Sequence, residues 1–119
     1  MSADPVGRAT IYHNPRCSKS RQALELLRER GVEPTIIKYL DTPPTVEELR
    51  TLIADAGLTV RQAVRVKETE FTELNLIEAS DEELLAAMVA HPRLIERPFV
   101  VTPGGTRLAR PTAAIEEIL

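Results

Sequence analysis

Between Thr10 and Tyr39 the chain sets a β-prone run, a helical run and a second β-prone run in an order that leaves few folds open. Residues 9–13 predict a first strand. The helix that follows starts near Ser18 and runs to about Arg30, with Ser20, Ala23, Leu24 and Leu27 on one face at helical spacing. Gly31 stops it as a C-terminal glycine. Thr35-Ile36-Ile37-Lys38-Tyr39 is rich in β-branched residues and predicts the second strand. A strand, a crossover helix and a strand in one sheet make a parallel pair with a right-handed connection. Everything else in the chain has to pack on, or hang from, that unit.

The remaining segments follow in order. Asp41-Thr42-Pro43-Pro44 breaks the pattern. Three helix starts then carry the capping-box spacing: Thr45-x-x-Glu48, Thr59-x-x-Gln62 and Ser80-x-x-Glu83. The first leads into a face of Leu49, Leu52, Ile53 and Ala56, ended by Gly57. The second opens a short helix with Arg61 and Arg65. The third leads into Leu84, Leu85, Met88 and Val89, ended at His91-Pro92, with residues 67–79 less regular between. Residues 43–91 are thus a helical insertion. The sheet resumes at residues 97–102, turns at Pro103-Gly104-Gly105 and returns antiparallel over residues 106–109. Pro111 opens a last helix at its first position, anchored by Ile115, Ile118 and Leu119. The expected fold is a single α/β domain: β-α-β, helical insertion, β-β-α, on a mixed four-stranded sheet. Residues 1–8 precede it as a loose arm.

With two Phe, two Tyr and no Trp, the core must be aliphatic. A net charge of -3 argues against a nucleic-acid-binding body. Arg outnumbers Lys, which suits oxyanion-reading sites or reflects a compositional bias of the source. The single cysteine excludes an internal disulfide and fits a reducing, cytoplasmic setting. No apolar signal region opens the chain, and no apolar run approaches a membrane span. No His/Cys/Asp spacing suits a metal. A monomer is the default.

Cys17 follows the Asn14-Pro15 turn and meets the start of the first helix. A lone cysteine is commonly a small core hydrophobe or an idle thiol. Here its neighbours are Pro, Arg, Ser and Lys. A thiol at a helix start, near exposed N–H groups and beside Arg16, Lys19 and Arg21, is biased toward the thiolate. The same donors suit a bound oxyanion. His13 is a general base, an electrostatic partner of the thiolate, or a loop-stabilising donor. His91 has the helix-end role that favours a cation. Ser18 and Ser20 cap the helix, or one of them donates to the thiolate. Arg97 enters a strand before Pro98, Arg110 stands before Pro111, and Arg65 lies in the insertion. Each is a solvated charge, or together they suit a phosphate-like oxyanion. Arg97-Pro98 is a candidate cis peptide.

Three separated motifs carry a resemblance to a known family: His13-Asn14-Pro15-x-Cys17-x-x-Ser20-Arg21, Arg97-Pro98-x-Val100-Val101 and Arg107-Leu108-x-Arg110-Pro111. With Glu33-Pro34-Thr35-Ile36-Ile37 and Leu52-Ile53-Ala54-Asp55, they make residues 10–119 similar to the glutaredoxin-dependent arsenate reductases. The resemblance implies a thioredoxin-like fold. It implies that Cys17 attacks arsenate to form a covalent thiol-arsenate adduct, and that Arg65, Arg97 and Arg110 hold the oxyanion. It further implies that His13 depresses the thiol pKa and Ser20 hydrogen-bonds to it. Glutathione is the implied co-substrate and glutaredoxin the protein partner, with no bound cofactor; both further thiols then come from outside the chain.

Arg16 and Ser18-Lys19 stand where well-studied members carry a small residue and a Gly-Thr pair, and the chain ends at Leu119 without a longer tail, as in the short subgroup. Two other classes share the outline. The Spx regulators bind RNA polymerase, but their loop usually carries CxxC, which this chain lacks. A glutathione-linked thiol module without arsenate activity needs the same low-pKa cysteine.

Overall fold

A computed structural model describes residues 9–119. The expected arm at residues 1–8 lies outside the described residues. The chain folds into two compact units. Of the described residues, one holds those up to Thr42 and from Arg97 to Leu119; the other spans Pro43–Glu96.

The first unit contains strand β1 (Thr10–Tyr12), helix α1 (Ser18–Glu29), strand β2 (Thr35–Ile37), strands β3 (Phe99–Thr102) and β4 (Gly105–Leu108), and a 3-10 helix, Thr112–Ile118. The sheet order is β2-β1-β3-β4. The β1–β2 pair is parallel, as a helical crossover requires, and the β1–β3 and β3–β4 pairs are antiparallel. Ile11 lies opposite Ile36 on one side and Val100 on the other. The strands are shorter than expected, yet the ladder outlasts them: Thr35 N–H donates to Ala9 O and His13 N–H to Ile37 O, both at 2.8 Å. That last bond brings His13 to the end of the sheet.

α1 buries Ser20, Ala23 and Leu27. Ala23 and Leu27 join Ile11, Val32, Val100, Ala109, Ile115 and Ile118 in the core of this unit, and Leu24 packs at its margin. Gly31, at φ +78, lets the chain leave α1 by a left-handed turn. Val32 N–H then reaches Leu27 O (2.9 Å) and Gly31 N–H reaches Arg28 O (3.0 Å), the paired bonds of a Schellman stop.

The last helix differs from expectation. Pro111 is extended (φ -74, ψ 162) and precedes the helix rather than opening it, and the helix is 3-10. A three-residue repeat puts Ile115 and Ile118 on one line, so both enter the core. Thr102 Oγ1 donates to Ile118 O across 2.5 Å and fixes the end of the helix to β3.

The second unit is helical: α2 (Val46–Asp55), α3 (Val60–Ala63), α4 (Thr69–Glu73) and α5 (Asp81–Ala90), followed by a 3-10 turn at Pro92–Leu94. All three expected capping boxes form, with both reciprocal bonds present. Helix α4 falls in the stretch that looked irregular. Its stop is Asn75 at φ 57, where α1 and α2 use glycine. Leu76 N–H to Phe71 O and Asn75 N–H to Thr72 O make the same paired closure. Leu49, Ile53, Leu84, Leu85, Met88 and Leu94 are almost fully buried in this unit, while Val89 is only partly so.

Candidate active site

The segment after β1 is folded on itself by asparagine. Asn14 Oδ1 accepts Arg16 N–H (3.0 Å), and Asn14 O accepts Cys17 N–H (3.0 Å). Arg21 donates to Pro15 O at 2.9 Å and clasps the loop to the helix. Cys17 is thereby set as the N-cap of α1, with extended dihedrals (φ -94, ψ 123), and its carbonyl accepts Arg21 N–H. An N-cap side chain faces the open N–H groups of the first turn. Here the side chain is a sulfur; it makes no capping hydrogen bond, but the amides of Ser20 and Lys19 favour its charged form.

Cys17 is 9% exposed. Burial, the largest single influence, pushes the thiol up. The Ser20 amide, the Arg97 charge, the Lys19 amide and a hydrogen bond from the Arg97 side chain oppose it and prevail, so the pKa lies below the ordinary thiol value. The cation that acts on the sulfur is Arg97, eighty residues away in sequence. Arg16, Lys19 and Arg21 looked like the source of that charge, but the Lys19 contribution is its backbone amide and Arg21 is occupied with Pro15.

Ser20 is fully buried. Neither serine caps α1 through its hydroxyl as expected, because Cys17 holds the N-cap position. The Ser20 hydroxyl instead lies 2.6 Å from His13 Nδ1 and accepts Asn14 N–H at 3.0 Å. So Ser20 reaches the sulfur by its amide and the histidine by its hydroxyl. His13 is 5% exposed. Burial first, then Lys38, Arg21 and Arg28, hold its pKa below 6.5, so the ring is neutral at pH 7. A neutral ring lends the thiolate no charge. Its visible connection to the sulfur runs through Ser20.

Arg97 and Arg110 precede the cis peptide bonds found among the described residues, Arg97-Pro98 and Arg110-Pro111; the second was not anticipated. The two turns are held side by side. Ala109 N–H donates to Pro98 O (2.9 Å), and the Arg110 guanidinium donates to Arg97 O (3.2 Å). The first unit therefore gathers Cys17, His13, Ser20, Arg97 and Arg110. Arg65 belongs to the second unit, where its guanidinium pairs with Glu68 at 2.9 Å and has Glu96 at 3.9 Å. The Asn14-Pro15 turn was expected from the sequence; the bonds by which Asn14 folds the loop onto Arg16 and Cys17 were not. Among the described residues no group of three His, Cys, Asp or Glu side chains is placed to hold a metal.

A β2-β1-β3-β4 sheet with a cysteine at the start of the crossover helix defines a protein of thioredoxin-like fold. The ArsC family profile matches residues 12–118. An arsenate reductase of Rhizobium meliloti (strain 1021) is 57% identical over 112 residues, 92% of this chain and 80% of that protein. An arsenate reductase of Escherichia coli (strain K12) is 54% identical over 112 residues, 92% of this chain and 79% of that protein. A solved arsenate reductase structure from Vibrio cholerae superposes with a TM-score of 0.91 at 50% identity, covering 96% of this chain and 99% of that one. The chain belongs to the ArsC family.

Proposed function

We propose that this protein is an arsenate reductase that works through Cys17 with glutathione and glutaredoxin. The observation that carries the reading is the sulfur itself: it sits at a helix N-cap, where the Ser20 and Lys19 amides and the Arg97 guanidinium favour its charged form. Those groups stabilise a thiolate before reaction and an arsenic-bound oxygen after it. Arg110, tied to the Arg97 carbonyl, supplies a second cation beside the first. The relatives named as arsenate reductases support the substrate.

The chemistry closes with thiols alone. The Cys17 thiolate attacks arsenic, a sulfur–arsenic bond forms, and an arsenate oxygen leaves as water after protonation. Glutathione thiolate then attacks the Cys17 sulfur. A sulfur–sulfur bond forms, the sulfur–arsenic bond breaks, and its electron pair stays on arsenic, which leaves in the trivalent state. Two thiols have become one mixed disulfide and arsenic has gained two electrons. A glutaredoxin thiolate attacks the glutathione sulfur of that disulfide and frees Cys17. Arg65, Arg97 and Arg110 are the oxyanion-holding residues in this reading, and the neutral His13 with Ser20 keeps the loop in place. A reducing, cytoplasmic setting supplies both outside thiols.

The test is a coupled assay with purified protein, arsenate, glutathione, glutaredoxin and an NADPH-linked reductase of oxidised glutathione. NADPH loss that requires all components and vanishes in Cys17→Ser is expected. Formation of the Cys17–glutathione disulfide from oxidised glutathione, with no arsenate-dependent turnover, would replace this reading with a glutathione-linked thiol module.

A further inference from the structure

We propose that Glu68 is a positioning residue that sets the Arg65 guanidinium for an arsenate-class oxyanion. The proposal rests on the assignment of Arg65 to substrate binding made above.

The backbone around Arg65 is fixed. Its N–H donates to Leu94 O at 2.7 Å, Val64 forms a β-bridge with Ile95, and Ala63 O accepts Glu96 N–H at 2.8 Å. The side chain is fixed mainly by one carboxylate. Glu68 Oε2 lies 2.9 Å from Arg65 NH1, whereas Glu96 Oε1 is 3.9 Å from Nε, outside hydrogen-bond range. Glu68 is itself held, because its other oxygen accepts Arg93 NH2 at 3.0 Å, and Arg93 NH1 faces Glu70 at 3.8 Å. Glu68 occupies the N-cap position of α4, where a carboxylate ordinarily turns back to the helix amides. It makes no such capping bond. Its charge is spent on the two arginines, and its side chain is only 13% exposed.

A guanidinium has five N–H donors in a fixed fork. With one end held by Glu68, the fork keeps N–H groups for a bidentate acceptor, and the Arg65 side chain is 26% exposed. Holding the fork beforehand removes the freedom that binding would otherwise cost, about a fivefold effect on affinity for one long side chain.

Charge alone predicts the opposite sign, which makes the proposal decidable. Deleting a carboxylate beside an anion site raises the local potential and should tighten binding. The experiment titrates arsenate calorimetrically into Cys17→Ser protein, which binds without turnover, and compares Glu68→Ala, Glu68→Gln, Arg65→Ala and the double variant Arg65→Ala/Glu68→Ala. Glu68→Ala is expected to weaken arsenate binding about fivefold. Glu68→Gln, which keeps the shape and one acceptor, should lose less, and Glu68→Ala should change nothing further once Arg65 is Ala. Unchanged or tighter binding in Glu68→Ala, with a native unfolding curve, overturns the proposal. If Arg65→Ala binds arsenate as well as its parent, the Arg65 assignment is wrong and the proposal falls with it. If the parent binds no arsenate, the reductase reading fails first.

Discussion

Removing the Ser20 hydroxyl separates two jobs that lie on one residue. In Ser20→Ala the oxygen that accepts Asn14 N–H at 3.0 Å and meets His13 Nδ1 at 2.6 Å is gone, while the Ser20 amide that faces the sulfur remains. His13 is buried, and a buried polar group left without its partner costs about 1–3 kcal/mol. Asn14 N–H is part-buried, so its loss belongs at the lower end, about 1 kcal/mol. Together they predict a destabilisation of roughly 2–4 kcal/mol, a large share of the stability of an ordinary domain. Urea unfolding followed by circular dichroism measures it. In the cycle with His13→Ala, the double variant should cost about 1–2 kcal/mol less than the sum of the singles, because the two side chains share one bond. The thiolate absorbance near neutral pH should stay close to wild type, since the amide donors survive. A stability change below about 0.5 kcal/mol would refute the network, as that is the size of an ordinary surface substitution. A thiol pKa raised in Ser20→Ala, in a loop still folded, would mean that the hydroxyl rather than the amide serves the sulfur.

Other perturbations probe the remaining parts. Arg97→Ala should raise the Cys17 pKa and Arg97→Lys raise it less, because the first removes both the charge and the hydrogen bond; a pH titration of thiolate absorbance reads both. His13 has a folded pKa below its ordinary 6.5, so the unfolded chain takes up the proton first as pH falls. Its contribution to stability is complete above about pH 6.5 and is lost as pH drops through the lowered folded value; urea midpoints between pH 5 and 8 should fall more steeply for wild type than for His13→Gln. Gly104→Ala would place a Cβ 2.5 Å from Ile118 O, a backbone atom itself held by Thr102, and should cost about 1–3 kcal/mol in the same urea experiment.

Much of this was legible from residue order. Local signals act over three to five positions, and where they were strong the outcome followed them: all three capping boxes formed, and the glycine after α1 stopped it. Helix α4 escaped notice because Asn75 does the work of a glycine, which composition does not announce. The terminal segment became 3-10 because Ile115 and Ile118 share one core and Thr102 holds the last turn. No local rule sees a hydrogen bond made sixteen residues away.

The sequence alone determined that a strand, a crossover helix and a strand would pair in parallel, and that Cys17 would stand at the start of that helix. Those are consequences of periodicity, turn chemistry and backbone sterics. Tertiary structure alone decided which cation stabilises the sulfur and what the serine hydroxyl does. Arg16, Lys19 and Arg21 are neighbours along the chain, but Arg97 is the neighbour in space because β3 pairs with β1 antiparallel and enters the sheet beside the end of that strand. Electrostatic effects depend on distance and burial, and both are set by how the sheet closes rather than by the spacing of residues in the chain.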